Sequence, residues 1–350
     1  MNYISIDIGS RSIHSSVYMD RERQLIHTFS TVDPFSIPST AYMKDGKVLV
    51  GYEADVWSRY LPENSFEPSD TLRGQFSAYL QSVLRYVKEL ATRQFGDNKF
   101  ELVYITPVDF YDSDPRKRII NEIAKALGFC DVKYKKHSIL ICSAYKFNND
   151  DMILVCDYGY TNFKTSLLHY DNDNIVFMGC NVSESFSGMY SDSRIRAIIE
   201  ETAQIEYLDG AFSLTQSRVI DDLCIKVKEE LSYVEQIQYP IPFTDSTCSV
   251  TRKDFEERIL DAVCETIKES SALVTEKGVT WDKINAIVLT GGACMSPCIP
   301  MVWRKHIAAY NNNIKLILPA SSEQAIYGAS LNAFTTENAF VEGNGVILEL

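Results

Sequence analysis

The chain has 350 residues with 45% hydrophobic content and a formal net charge of −13, which permits two units with their own cores and argues against an extended nucleic-acid surface, because such surfaces are basic. No apolar run reaches the roughly 18 residues of a membrane span, and the N-terminus shows a strand pattern instead of a signal peptide. The nine cysteines are scattered, as in reduced intracellular proteins. We therefore expect a cytoplasmic protein with neither nucleic-acid nor membrane partners.

The first predicted element is a β-hairpin whose first strand ends in Asp-x-Gly. The apolar run Tyr3–Ile6 leads into Asp7–Ser10, and the alternation of apolar residues resumes over Ile13–Val17. Glycine lets a phosphate approach the main chain, hydroxyl and N–H groups can donate to it, and a nearby aspartate can hold hydrated Mg²⁺. The candidate residues are Asp7 for Mg²⁺ and catalysis, and Gly9, Ser10 and Arg11 for phosphate.

The stretch from residue 34 to residue 150 completes the first predicted lobe, residues 1–150. Residues 34–77 indicate a small inserted unit with few helix signals, and residues 78–95 have the spacing of an amphipathic helix. A strand and two helices are expected over residues 101–148, the second helix ending near Tyr145. The polar, turn-rich run Asn148–Asp151 then marks the boundary between the lobes.

The hairpin pattern occurs a second time, with Asp157 lying 150 positions after Asp7. The apolar run Met152–Cys156 leads into Asp157–Tyr160, and apolar alternation follows over Phe163–Leu167. One such turn is weak support for a phosphate site, because most are ordinary hairpin turns. The duplicate indicates an internal repeat with two related lobes. The added candidates are Asp157 for Mg²⁺ and catalysis, and Gly159, Tyr160 and Thr161 for phosphate.

The third motif is a glycine pair between a strand and a helix. The apolar strand Ile284–Thr290 runs into Gly291 and Gly292, and a helix is expected from about Pro297. Glycines at such a turn let a flat ring or a phosphate lie against the main chain beside the positive end of the helix. The second lobe is predicted over residues 151–319, with a helical inserted portion over residues 189–270. Residues 320–350 are expected to return and complete the first lobe.

In their order along the chain, these motifs resemble the nucleotide-binding domain of the 70-kDa heat-shock chaperones, within the actin and sugar-kinase superfamily. Further stretches are similar to motifs of that family: Ile37–Ala54, Val103–Phe110, Ala124–Phe129, Lys228–Ser232, Thr251–Glu256 and Glu323–Ala329. The resemblance implies an α/β protein with the two-lobed actin-like ATPase fold, duplicated ribonuclease-H-like domains and a nucleotide cleft between the lobes.

The same resemblance implies a ligand and partners. ATP or ADP with Mg²⁺ would be the bound cofactor, nucleotide would act as a conformational switch, and co-chaperones or other proteins would be the partners. The residues that the resemblance places around adenosine are Lys228, Ser232, Gly291, Gly292, Ala293 and Met295.

At several positions the chain departs from the family's pattern. Asp70 aligns with the lysine that reaches the transferring phosphate, and His137 aligns with the glutamate near the attacking water. In the second turn, Tyr160 and Thr161 replace two glycines and Lys164 replaces the closing aspartate. Two polar side chains that contact adenosine in the family are replaced by Met295 and Ile225.

These departures predict weaker nucleotide binding and slow or absent hydrolysis. Losing a carboxylate that positions water costs about 10²–10⁴ in rate, and a lone histidine near a helix start is more often structural than a base, so His137 is the weakest catalytic candidate. A side chain at a turn position with positive φ is strained, so Tyr160 and Thr161 are expected to disturb the second turn. Lys164 and Arg11, in contrast, are new cations that suit phosphate oxygens.

Three functional classes remain open from the sequence alone. The first is a slowly hydrolysing, ATP-binding chaperone-like switch, and the second is a non-catalytic relative that keeps the fold as an interaction module. The third is an actin-like filament protein or a phosphotransferase of the sugar-kinase type. The heat-shock-type helix over residues 226–232 and the stretch Thr251–Glu256 speak against the third class.

Overall fold

The computed structural model describes residues 2–20, 22–28, 34–66, 73–111, 113–172, 174–203, 214–310, 313–318, 325–326 and 328. These residues fall into two compact units. The first unit contains the described residues up to Phe147 together with Ala325, Ile326 and Gly328, and the second runs from Asn148 to Leu318. In the described part of the chain, no helix combines the length and apolarity that crossing a bilayer requires.

The first unit is built on a twisted sheet covered by helices. Its strands are β1 (Tyr3–Ile8), β2 (Ser12–Met19), β3 (Glu22–Leu25), β4 (Ser36–Pro38), β5 (Ala41–Lys44), β6 (Lys47–Val50), β7 (Ser65–Phe66), β8 (Glu101–Thr106) and β9 (Val132–Lys136). Its α-helices are α1 (Gly51–Tyr60), α2 (Arg73–Phe95), α3 (Arg116–Ala126) and α4 (His137–Ser143). The main sheet has the order β3-β2-β1-β8-β9 with β4 paired to β2, and β6-β5-β7 form a separate small sheet.

Alternation along β1 and the helical spacing of α2 account for the core of this unit. Ile4 and Ile6 are fully buried and pack with the apolar face of α2, whereas Asp7 lies on the opposite side of the strand. The predicted helix over residues 78–95 is confirmed, and it begins earlier, at Arg73. Its apolar stripe is buried as expected: Tyr79, Val83, Leu84, Val87 and Leu90.

Two elements of this unit were not predicted from the sequence. The inserted stretch over residues 34–77 contains the ten-residue helix α1, whose buried positions are only Gly51, Ala54 and Ser58. Small buried residues leave little apolar periodicity, so the helix gave a weak signal. The run Val132–Lys136 is the edge strand β9, parallel to β8. Its three lysines masked the strand pattern, although charged residues are common on sheet edges.

The second unit has a five-stranded sheet and a separate hairpin. Its strands are β10 (Met152–Tyr158), β11 (Phe163–Asp171), β12 (Asn174–Ser183), β13 (Gln236–Pro240), β14 (Thr247–Thr251), β15 (Ile284–Thr290) and β16 (Lys315–Ile317). Its α-helices are α5 (Gly188–Ala203), α6 (Leu214–Leu231), α7 (Arg252–Glu276) and α8 (Cys298–Tyr310). The sheet order is β12-β11-β10-β15-β16, and β13 and β14 form a separate two-stranded sheet.

The second sheet repeats the pairing of the first. The central strand β1 is antiparallel to β2 and parallel to β8, and β10 is antiparallel to β11 and parallel to β15 in the same way. Each sheet continues with a second parallel partner, β9 in one unit and β16 in the other. The duplicated α/β fold predicted from the two Asp-x-Gly hairpins is therefore confirmed.

A buried polar network fixes the end of β10. Trp303 is fully buried, and its indole Nε1 donates to the hydroxyl of Tyr158 at 2.8 Å. That hydroxyl also lies 2.8 Å from Thr266 Oγ1. Burial raises the pKa of Tyr158 well above its ordinary value, so the phenol stays neutral and protonated. Because Tyr158 immediately precedes Gly159, this network holds the second turn in place.

Candidate functional site

The turns that follow β1 and β10 have matching geometry. The Gly9 N–H donates to the Ser12 carbonyl at 3.0 Å, and the Gly159 N–H donates to the Asn162 carbonyl at 3.1 Å. A β-carbon at Gly9 would lie 2.8 Å from that carbonyl oxygen of Ser12, and one at Gly159 would lie 2.9 Å from that of Asn162. Glycine is therefore required in both turns by the close approach of the main chain, and both turns have the same shape.

The expected strain at Tyr160 is not found. Among the described residues, the non-glycine residues with positive φ are Asp20, Asp45, Asp150, Asn172 and Phe243. The two substituted turn positions, Tyr160 and Thr161, thus avoid the left-handed region, and the prediction that a side chain there disturbs the turn was wrong. The Tyr160 ring packs against Gly188 at the start of α5, where a β-carbon would lie 3.0 Å from Tyr160 Cδ2.

The N-terminus of α5 is attached to the second turn by two main-chain hydrogen bonds. The Gly188 N–H donates to the Gly159 carbonyl, and the Met189 N–H donates to the Tyr160 carbonyl, both at 2.9 Å. These bonds use amide groups that would otherwise lack partners within the helix. No local sequence pattern indicates this attachment, because Gly188 lies almost thirty residues after the turn.

The first carboxylate, Asp7, lies beside His137. His137 is the first residue of α4, and its Nε2 atom is 3.4 Å from Asp7 Oδ2, with about a fifth of each side chain exposed. The fold thus brings together two candidates that are 130 positions apart in the chain. A further residue, Gly328, packs against the same helix, since a β-carbon there would lie 1.7 Å from the Leu140 carbonyl oxygen.

The second carboxylate, Asp157, lies beside Lys164. The two residues are directly opposite each other in the β10–β11 hairpin, so their side chains share one face of the sheet. Lys164 Nζ is 3.8 Å from Asp157 Oδ2, and Asp157 is largely buried. The carboxylate is therefore already accompanied by a cation from its own hairpin.

Ser39 supports the first turn and was not among the predicted site residues. Its hydroxyl donates to the Gly9 carbonyl at 2.6 Å, its N–H donates to the Arg11 carbonyl at 3.1 Å, and the side chain is fully buried. It lies in the family-like stretch Ile37–Ala54, so the resemblance was the one available signal for it.

We expect Ser39→Ala to weaken nucleotide binding and to lower stability slightly. Losing one buried hydrogen bond costs about 1 kcal/mol, and the freed carbonyl leaves the first turn less ordered. Ser65→Ala is a matched control, because Ser65 Oγ also donates to a carbonyl, that of Pro62, at 2.6 Å and away from the turn. Calorimetry with ADP should show weaker binding for Ser39→Ala alone; equal affinities for the two variants would contradict this role.

The glycine pair has two different roles. Gly291 has a φ of 86°, and a β-carbon there would lie 2.4 Å from the Tyr158 carbonyl oxygen and 2.7 Å from Asp157 Oδ1. Gly292 is exposed, with no heavy atom within 4 Å of such a β-carbon. Packing therefore explains Gly291 fully and does not explain Gly292, whose bare main chain is open to a ligand.

The residues after the glycine pair form a short 3-10 helix, Gly292–Met295. The thiol of Cys294 donates to the Gly291 carbonyl at 2.9 Å, and burial raises the pKa of Cys294, so the thiol keeps its proton. Ala293 is partly buried, while Met295 is 45% exposed. The buried thiol of Cys294 thus stabilises the turn, and Met295 presents an apolar side chain to solvent.

Lys228 is held beside the second turn by an ion pair. Its Nζ atom is 2.5 Å from Asp192 Oδ1 and 3.3 Å from the Gly188 carbonyl, and it is 5.9 Å from the centre of the Tyr160 ring. Ser232, the other residue of this stretch that the resemblance places near adenosine, lies just past the end of α6 at Leu231. The Ser232 N–H closes the following turn on the Glu229 carbonyl.

Some sequence predictions fall outside the described residues. They include Asp70, and in the stretch Glu323–Ala329 only Ala325, Ile326 and Gly328 are described. In the described part of the chain, no three His, Cys, Asp or Glu side chains come together as a metal site. The site residues that the structure describes therefore form two carboxylate-bearing turns, one in each unit, and the glycine turn that contacts the second of them.

Residues 75–316 match the model of the family described as Hsp70 protein. The match covers more than half of the chain and includes His137, the second Asp-x-Gly turn and the glycine pair. Hsp70 ATPase domains generally bind ATP or ADP with Mg²⁺, and the duplicated sheets described above are consistent with their actin-like ATPase fold. The chain belongs to the Hsp70 protein family.

Proposed function

We propose that this Hsp70-family protein binds adenine nucleotide, hydrolyses ATP slowly or not at all, and uses nucleotide as a conformational switch. The observation that best supports the proposal is the pair of matching turns, each with a glycine N–H bonded to the carbonyl three residues later and each next to a strand-end aspartate. A turn of this geometry suits a phosphate group, whose charges need several donors.

The phosphates would be bound mainly by the residues of these turns. Gly9 and Gly159 allow close approach of the main chain, while Ser10 and Thr161 supply hydroxyl groups. Arg11 is exposed at the first turn, where a guanidinium can bind phosphate oxygens in a bidentate manner.

Adenosine would lie against the open main chain of Gly292, beside Ala293 and Met295. Methionine offers apolar contact to a ring but cannot supply the cation–π interaction of arginine, which contributes about 0.5–2 kcal/mol. Lys228 is held by a close contact of 2.5 Å with Asp192 and is more buried than Lys164, which lies 3.8 Å from Asp157, so Lys228 is less available to a ribose or phosphate. We therefore expect weaker binding than in relatives that keep the family's polar residues.

Hydrolysis would be slow because His137, and not a glutamate, lies beside Asp7. The position of the water-activating glutamate holds His137, whose Nε2 faces Asp7 Oδ2 at 3.4 Å. The Nε2 atom is engaged by Asp7, and the carboxylate that the family uses to position water is absent at this position, a loss that costs about 10²–10⁴ in rate. The candidate catalytic residues Asp7, Asp157 and His137 thus suit binding better than turnover.

Calorimetry and thermal unfolding with ATP, ADP and GTP test the binding proposal. A ligand at 100 times its Kd raises the free energy of unfolding by about 2.7 kcal/mol, so millimolar ADP should raise the melting temperature measurably. Met295→Arg should tighten adenine nucleotides by about fivefold through the restored cation–π contact. Met301→Arg, at another exposed methionine of the second unit, is the control and should change nothing.

Two results would favour the other functional class. If millimolar nucleotide produces no heat and leaves the melting temperature unchanged, the protein is a non-catalytic interaction module of the Hsp70 family. If nucleotide binds but leaves the pattern of limited proteolysis unchanged, the switch fails while binding stands. Co-chaperone partners and a cytoplasmic location stay predictions from the sequence.

A further inference from the structure

The two carboxylates expected to hold Mg²⁺ are both in contact with nitrogen-bearing side chains of their own unit. Asp157 Oδ2 lies 3.8 Å from Lys164 Nζ, and Asp7 Oδ2 lies 3.4 Å from His137 Nε2. Both contacts lie next to the matching turns, where the resemblance places the metal. These contacts bear directly on whether Mg²⁺ belongs there.

The pairing of Asp157 with Lys164 is built into the hairpin. The two residues are opposite each other in the register of β10 and β11, and only about a quarter of the Lys164 side chain is exposed. The equivalent position opposite Asp7 in the first hairpin is occupied by His14. A nitrogen-bearing residue therefore lies opposite the strand-end aspartate in both repeats. In the second repeat the register of β10 and β11 fixes Lys164 beside Asp157.

The donor set does not suit a resident Mg²⁺ ion. Magnesium requires octahedral oxygen coordination and usually keeps several of its waters, which are held by carboxylates. An ammonium group within 4 Å of a carboxylate competes for its oxygens and repels a divalent cation. In the described part of the chain no three His, Cys, Asp or Glu side chains come together, so neither aspartate belongs to a cluster of metal ligands.

We propose that this protein binds nucleotide phosphates without Mg²⁺. Lys164, which lies beside Asp157, supplies the positive charge that Mg²⁺ supplies in Mg²⁺-dependent nucleotide sites. The inference rests on the proposed nucleotide-binding function. Lysine binds phosphate as a point charge. Lys164 lies two residues after Asn162, where the phosphate turn ends. No bond is made or broken, so the proposal concerns binding alone.

The test compares the affinity for ADP in excess EDTA with the affinity in excess Mg²⁺. We expect the two dissociation constants to agree within about threefold. Lys164→Met keeps the aliphatic stem and removes the charge, and it should weaken binding in EDTA by about tenfold, which corresponds to 1.4 kcal/mol. Lys253→Met is the matched control, because Lys253 is a highly exposed lysine of the same unit and should bind like the unmodified protein.

Asp157→Asn distinguishes the proposal from a metal site. If Asp157 holds Mg²⁺, this variant binds ADP more weakly in Mg²⁺. If Lys164 supplies the charge, the variant binds ADP more tightly than the unmodified protein, because Lys164 loses a competing carboxylate. The thermal unfolding of each variant is checked first, and Lys164→Gln replaces Lys164→Met if the latter does not fold.

The outcomes separate the two proposals. Binding that is lost in EDTA, is weakened by Asp157→Asn and is indifferent to Lys164→Met overturns metal-independent binding and leaves nucleotide binding standing. No binding in either buffer overturns the nucleotide-binding function and this inference with it. Equal binding in both buffers with a loss in Lys164→Met supports both.

Discussion

Gly291→Ala is expected to lower the melting temperature by roughly 5–15 °C, while Gly292→Ala leaves it unchanged. A non-glycine residue in the left-handed region costs about 1–3 kcal/mol, and forcing a methyl group into a packed site adds about 1–3 kcal/mol. Gly291 meets both conditions, with its φ of 86° and two oxygens within 2.7 Å of an added β-carbon. Each kcal/mol shifts the melting temperature by about 2–4 °C in a unit of this size.

The adjacent glycine, Gly292, provides the control for this experiment. A methyl group at Gly292 meets no heavy atom within 4 Å, so any general effect of alanine on this turn would appear in both variants. Differential scanning calorimetry of the two variants measures the difference directly. Equal melting temperatures would mean that the turn relaxes freely and that Gly291 is not fixed by Asp157 and Tyr158.

The repeated hairpins could be predicted from the sequence because their signals are local. Apolar alternation, an aspartate at the strand end and a glycine two residues later lie within ten positions in each repeat. Such patterns fix the strands, their pairing and the turn between them. The helix α2 was predictable for the same reason, since its apolar positions recur every three or four residues.

The rest depended on contacts that no local pattern reveals. The proximity of His137 to Asp7 follows from the parallel order β1-β8-β9 and from α4 beginning directly after β9. That strand was itself missed because lysines interrupt its apolar alternation. The backbone of Tyr160 is another example: family glycines suggested positive φ, but the turn glycine is required by a close carbonyl and not by φ.

The contacts of Asp157 and Asp7 connect two of the substitutions that distinguish this chain from the family pattern. Considered separately, Lys164 and His137 each replace an acidic residue. In the structure each contacts the strand-end aspartate of its own unit. The two changes therefore have the same chemical consequence, since both place a nitrogen group against an aspartate that the family uses near its metal.

Replacing His137 by Glu together with Asp70 by Lys is expected to raise single-turnover ATP hydrolysis by about 10²-fold or more. A positioned general base contributes about 10²–10⁴, and Glu at the start of α4 would stand beside Asp7, where His137 Nε2 now lies 3.4 Å from Oδ2. Asp70 lies outside the described residues, so its part in the design rests on the sequence alignment. The two changes are made together because coupled catalytic groups do not add.

The control is His137→Gln with Asp70→Lys, because the Gln side chain has nearly the size of Glu but carries no charge. Two neighbouring carboxylates repel each other unless a cation lies between them, so the Glu variant should also gain a melting temperature that rises with Mg²⁺, and the Gln variant should not. Rapid-quench measurement of ATP cleavage and thermal unfolding with and without Mg²⁺ give the two readouts. Fast turnover by the unmodified protein, insensitive to His137→Ala and Asp70→Ala, would show instead that other residues carry out the chemistry and that the alignment of these two positions is wrong.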